Sequence, residues 1–193
     1  RQMCIRDSYY AAFSRLTVEP TTEVVLMSAA EVWFLRAEAA LRGWTDEDAG
    51  TCYRAGVSIS FAQWQVSGAE QYLESDASAA DYRDPIAPEN DIAARCRVSP
   101  RWDESAAAEI GLERIITQKW IANFPLGTEA WADYRRTGYP RLFPVVVNNN
   151  PDITNLQLGA RRMTYPLEEY EANGETIRAA VDQWLGGQDK MST

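Results

Sequence analysis

The run Ile115 to Pro140, IITQKWIANFPLGTEAWADYRRTGYP, leaves this chain few folds to choose from. From about Ser105 to Phe124, residues Leu112, Ile115, Ile116, Trp120 and Phe124 recur at three- and four-residue spacing. That spacing puts side chains on one face of a helix. Glu109, Glu113, Arg114, Gln118 and Asn123 occupy the other side, so the pattern predicts an amphipathic helix with one buried stripe. Pro125 and Gly127 end it, since proline has no amide to donate and glycine accepts the turn that follows. A second, shorter helix is predicted from about Thr128, with Trp131, Tyr134 and Arg135 on neighbouring positions, until Gly138 and Pro140 stop it. Trp120, Trp131 and Tyr134 are expected as core aromatics joining the two helices, ahead of the alternative of direct ligand contact, because large rings supply much of a core's burial energy.

Upstream, Ser28-Ala29-Ala30-Glu31 reads as a capping box, in which serine and glutamate each satisfy the other's end of the helix start. The helix it opens carries Ala30, Trp33, Phe34, Ala37, Leu41 and Trp44 on one face and closes at Gly43. Thr45 to Asp48 repeats the capping signature, and a second helix runs to about Trp64 with Ala49, Tyr53, Gly56, Val57, Ser60 and Trp64 at helical spacing. A short turn forces the pair antiparallel, and Ala37, Ala40 and Gly56 are small enough for close approach. The expectation is a mostly helical, all-α chain with a hairpin over about 28–64 and no sheet beyond short ribbons.

From Val66 to Pro100 the periodicity weakens around Gly68, Pro85, Pro88 and Pro100, which predicts a surface insertion with a short helix near Ala69 to Leu73. Loops held by a rigid scaffold are where binding residues concentrate. Trp64, Tyr72 and Tyr82 are therefore the candidate ligand-binding residues, able to stack on the apolar C–H face of a sugar, against the plainer alternative that they pin the loop to the helices. Beyond Pro140, Asn148 to Asp152 forms turns, GARRMTYP reads as extended, and Asn173 caps a last helix of about Glu175 to Leu185 closed by Gly186 and Gly187.

Composition narrows the chemistry. The 193 residues, 46% hydrophobic and 24% charged, suit a globular unit with a sizeable core. A formal net charge of −9 argues against nucleic acid, whose phosphates require clustered Lys and Arg. No apolar run approaches the roughly 20 residues of a membrane-spanning helix. With no histidine, Ser-His-Asp and Cys-His nucleophile arrangements cannot be built and the commonest zinc ligand is missing, so no catalytic residue, metal or cofactor is expected. Glu129 with Asp133, and Glu168, Glu169 and Glu171 near Tyr170, are the residue types of a glycoside hydrolase pair, but neighbours on one helix do not face each other across a cleft. Cys4, Cys52 and Cys96 lack metal-ligand spacing; a Cys52 to Cys96 disulfide is conceivable, and buried free thiols are the plainer expectation.

The blocks VWFLRAEAALRGW, TCYRAGVSISFAQW, the run Ile115 to Pro140, GARRMTYPLEEYEANG and DQWLGG, spread from about Glu31 to Gly187, together resemble the SusD/RagB family. Its members are outer-membrane lipoproteins that capture glycans or peptides and pass them to a TonB-dependent, SusC-like transporter. The resemblance implies a tetratricopeptide-like helical hairpin scaffold with long loops, an oligosaccharide or peptide ligand, no bond-making chemistry, and a surface position held by an N-terminal lipid anchor absent from this chain. A helical-repeat scaffold for protein partners is the alternative. Family members are more than twice this length and carry much of their ligand contact upstream, so residues 9–193 are expected to be the C-terminal part of such a domain. Residues 1–8, RQMCIRDS, resemble a translated sequencing-adapter remnant rather than a signal peptide.

Overall fold

The computed structural model describes residues 19–192, so Arg1 to Ser8 and Cys4 lie outside the described residues. Among the described residues six α-helices follow in order: α1 (Ala29–Leu41), α2 (Ala49–Gln63), α3 (Ala69–Leu73), α4 (Ala108–Ala122), α5 (Gly127–Thr137) and α6 (Leu167–Trp184). Among the described residues the only extended pairing is one antiparallel bridge between Tyr82 and Ile92. The chain divides into two compact units, 1–142 and 143–193.

In the first unit, α1 and α2 form the expected hairpin. Ser28 caps α1 by accepting the Glu31 amide at 3.0 Å. The reciprocal half of the box is replaced by an ion pair, for the buried Glu31 carboxylate lies 3.4 Å from the Lys119 ammonium on α4. The cap of α2 is Asp48, which accepts the Thr51 amide at 2.6 Å, so the helix starts later than a box at Thr45 would place it. At the hairpin's centre the Phe34 ring lies against Gly56. A Cβ there would stand 2.9 Å from Phe34 Cε1, a space only glycine leaves. Phe34 meets Tyr53 edge-on at 6.1 Å, and the buried Tyr53 hydroxyl donates to the Pro100 carbonyl at 2.6 Å, tying the long loop to the core. Ala30, Ala37, Cys52, Val57, Ile115 and Ala122 complete this core. Trp44 falls outside α1 and is exposed.

Helix α4 departs from the stripe the sequence suggests. Glu113, Arg114, Gln118, Lys119 and Asn123 are all buried alongside Leu112, Ile115 and Ile116, while Trp120 and Phe124 are exposed. Each polar group but the last has a partner: Glu113 pairs with Arg141, Arg114 Nε donates to the Ser99 carbonyl, Gln118 bonds Tyr72, and Lys119 bridges Glu31 and Asp133. Paired inward, polar residues need not mark the solvent side. Helix α5 ends at Gly138, whose left-handed φ of +78° suits glycine. Arg136, near its end, forms ion pairs with Glu38 on α1 and with Asp133. Cys52 and Cys96 are buried free thiols rather than a disulfide.

The second unit is organised around the chain's last described residues. Asp189 forms an ion pair with Arg162 and accepts the Tyr165 amide and the Tyr170 hydroxyl, each at 2.9 Å. The Arg161 amide donates to the Met191 carbonyl at 2.7 Å, and Ser192 Oγ accepts the Thr154 amide at 3.0 Å. Asn173 adopts non-helical angles and breaks α6, the position at which its side chain marks a helix start in the sequence.

Candidate functional site: an aromatic cleft

Where α4 turns into α5, a cleft of about 600 Å³ opens within the first unit. Trp120 and Phe124 come from the end of α4, Pro125 and Leu126 from the turn, and Trp131 and Tyr134 from α5. Trp120 is 40% and Trp131 37% exposed, which corrects the expectation that both are core. The reason is local: the side of α4 facing α1 is already filled by Ile115, Ile116 and the Lys119 ion pairs, so the outward positions carry the rings. Arg135 stacks over Trp131 at 4.5 Å from its centroid. On α5, Asp133 turns inward to Lys119 while Glu129 stays exposed, so these two carboxylates do not share a site.

One polar group marks the cleft's inner wall. Asn123 lines it, is 1% exposed, and has no hydrogen-bond partner at either end of its amide among the described residues. A buried amide left unpaired costs about 1–3 kcal/mol, which sets Asn123 apart from the neighbouring polar side chains of α4 that find partners. No sequence signal distinguished Asn123 from the solvent-facing residues of its helix.

Of the three candidate ligand residues, Trp64 stands nearest this surface. It is half exposed, and its ring centroid lies 6.1 Å from that of Phe124. Tyr72 packs on Phe61 at 5.3 Å and hydrogen-bonds Gln118. Tyr82 sits in the loop, where its hydroxyl donates to Asp84 at 3.2 Å. The structure therefore brings Trp64 to the cleft's neighbourhood and ties Tyr72 and Tyr82 to other partners. Among the described residues no group of His, Cys, Asp and Glu is arranged to hold a metal ion, and no helix is long and apolar enough to cross a membrane.

The family model for SusD-like proteins, described as "Susd and RagB outer membrane lipoprotein", matches residues 2–193. The chain belongs to the SusD-like family. Solved structures of SusD homologues are correspondingly similar. A chitin-binding homologue from Flavobacterium johnsoniae is 46% identical, with a TM-score of 0.76 over 87% of this chain and 35% of its own. A homologue from Bacteroides uniformis is 44% identical, with a TM-score of 0.83 over 96% of this chain and 39% of its own. One from Bacteroides thetaiotaomicron is 41% identical, with a TM-score of 0.82 over 92% and 39%. This SusD-like chain thus spans little more than a third of the homologues it matches. No curated protein matches it. The helical, tetratricopeptide-like hairpin scaffold expected from the sequence is the fold of this family.

Proposed function

We propose that this SusD-like chain is part of a surface-anchored, non-enzymatic capture protein of the outer membrane. It binds an oligosaccharide or peptide and delivers it to a SusC-like TonB-dependent transporter. The aromatic cleft carries the reading: Trp120 and Trp131 present exposed rings along one groove, and stacking a pyranose C–H face on such rings removes apolar area from water. Asn123 supplies an unpaired donor and acceptor for a sugar hydroxyl at the inner wall. Trp64, beside Phe124, extends the surface; Tyr72 and Tyr82 hold the neighbouring loop. Family membership and the likeness to a chitin-binding homologue support a glycan as ligand and chito-oligosaccharide as the first probe.

Ile121, Pro125, Leu126, Ala130 and Leu142 make most of the remaining lining aliphatic, and an apolar wall of this kind also suits packing against further protein. Calorimetry with chito-hexaose decides between them, using the full chain and its Trp120→Ala and Trp131→Ala variants. The capture reading expects binding that weakens at least about tenfold in each variant, since a buried ring contact contributes on the order of 1–3 kcal/mol. Binding unaffected by both substitutions, or no binding of chito-oligosaccharides, xylo-oligosaccharides or peptides, sinks the assignment of the cleft to ligand.

A further inference from the structure

A second pocket lies nearer the start of α4, beside Ile110, Glu113 and Arg114. It measures about 410 Å³ and is lined by Arg95, Arg97, Arg114 and Arg141 with Asp76 and Glu113. Four arginines around one opening are unexpected in a chain of net charge −9. The two carboxylates are already engaged: Glu113 with Arg141 at 3.2 Å and Asp76 with Arg101 at 2.8 Å. Arg95 and Arg97 are exposed and have no carboxylate partner among the described residues. Arg114 is only 6% exposed; its Nε donates to the Ser99 carbonyl at 3.0 Å, and its Nη1 is closed off from solvent with no hydrogen-bond partner. A buried guanidinium with an unused donor is costly unless something anionic completes it.

We infer that this pocket is an anion subsite that takes a carboxylate or sulfate group of an acidic glycan. A guanidinium offers paired donors in a fixed fork, which matches the oxygens of either group. Arg95 and Arg97 supply the charge at the mouth, and Arg114 supplies the fixed donor at the wall. The inference rests on the glycan-capture reading, and it adds to it a selectivity for charged sugars that the aromatic cleft does not provide.

The test is calorimetry of the full chain with three probes: tetragalacturonate, its methyl-esterified neutral counterpart, and a sulfated galactan tetrasaccharide. Two charge-assisted contacts should favour the free acid over the ester by about tenfold or more. That preference should vanish in Arg95→Gln/Arg97→Gln, whose sites are exposed and whose folding is checked by circular dichroism, and should shrink as sodium chloride is raised. Stronger binding of the sulfated probe than of the uronate assigns the pocket to sulfate, and the reverse to carboxylate. Equal affinity for acid and ester overturns the inference while leaving glycan capture intact. Failure of all these probes together with chito-hexaose overturns both. Tighter binding of poly-glutamate than of either sugar acid, lost in the same double variant, gives the pocket to an acidic protein segment and also overturns the inference. Arg114→Lys, which keeps the charge and loses the fork, should cut the preference without abolishing it.

Discussion

Replacing Lys119 by methionine tests whether the charges inside this scaffold act as a unit. The ammonium sits 2.8 Å from Asp133 and 3.4 Å from Glu31, and the three side chains are 4%, 8% and 5% exposed. Removing one member of a buried ion pair costs about 3–5 kcal/mol, because the partner is left charged and dry. Asp133 keeps Arg136 at 3.0 Å, so the loss falls mainly on the single carboxylate of Glu31. That argues for the lower end, about 3 kcal/mol. With a urea slope of about 2 kcal/mol/M, the midpoint of unfolding should fall by about 1.5 M. Urea titration followed by circular dichroism measures it. Adding Glu31→Gln to Lys119→Met should recover at least about 1 kcal/mol, since the orphaned group is then neutral. A fall of less than about 0.5 M in the single variant, or no recovery in the double, would refute the claim that the pairs are buried and coupled.

Other outcomes follow from particular contacts. Gly56→Ala should destabilise by about 1 kcal/mol in the same titration, as overpacking against Phe34 exceeds alanine's helix preference, whereas Gly127→Ala, with nothing within 4 Å of its Cβ, should be neutral or slightly stabilising. Trp120→Ala should cost under about 2 kcal/mol while Phe34→Ala costs about 3–5, because only the second leaves a closed cavity. Burial raises the carboxyl of Glu38, but hydrogen bonds from Arg136 and Arg42 outweigh it and hold the group below its ordinary 4.5. Its contribution is therefore present above about pH 4.5 and lost as pH falls through the lower folded value. Stability measured from pH 7 to pH 3 should decline less steeply in Glu38→Gln. Cys52 and Cys96 should resist a thiol reagent in the native chain and react after unfolding, and a mass two hydrogens short across the pair would contradict free thiols.

Element placement was legible where local chemistry decides it. Ser28 does start α1, the predicted helix at Ala69 to Leu73 is α3, and Asn173 interrupts α6. The interior of α4 was not legible. A polar residue at helical spacing reads as solvent-facing, and only partners far along the chain, Glu31 for Lys119 or Ser99 for Arg114, turn it inward. The aromatic cleft failed to show for the mirror-image reason. Trp120 and Trp131 have the spacing of core residues, and their exposure depends on which side of α4 the hairpin occupies. The blocks resembling the SusD/RagB family carried the fold assignment further than periodicity alone.

The ion pair between Glu38 and Arg136 joins residues 98 apart in sequence. Closing a loop of that length costs only about 2 kcal/mol more than closing a hairpin turn, because the entropy grows with the logarithm of length. Doubling the enclosed chain would add about 0.6 kcal/mol. The segment 74–107 hangs inside that loop, anchored through Tyr53 to Pro100 and Arg114 to Ser99 near its far end. Insertions in the exposed stretch 77–80 therefore load neither the hairpin nor the closing pair. A lineage can lengthen that exposed stretch at little entropic cost, while the buried Ala94 and Cys96 on either side of Arg95 keep the arginine-bearing segment fixed to the scaffold.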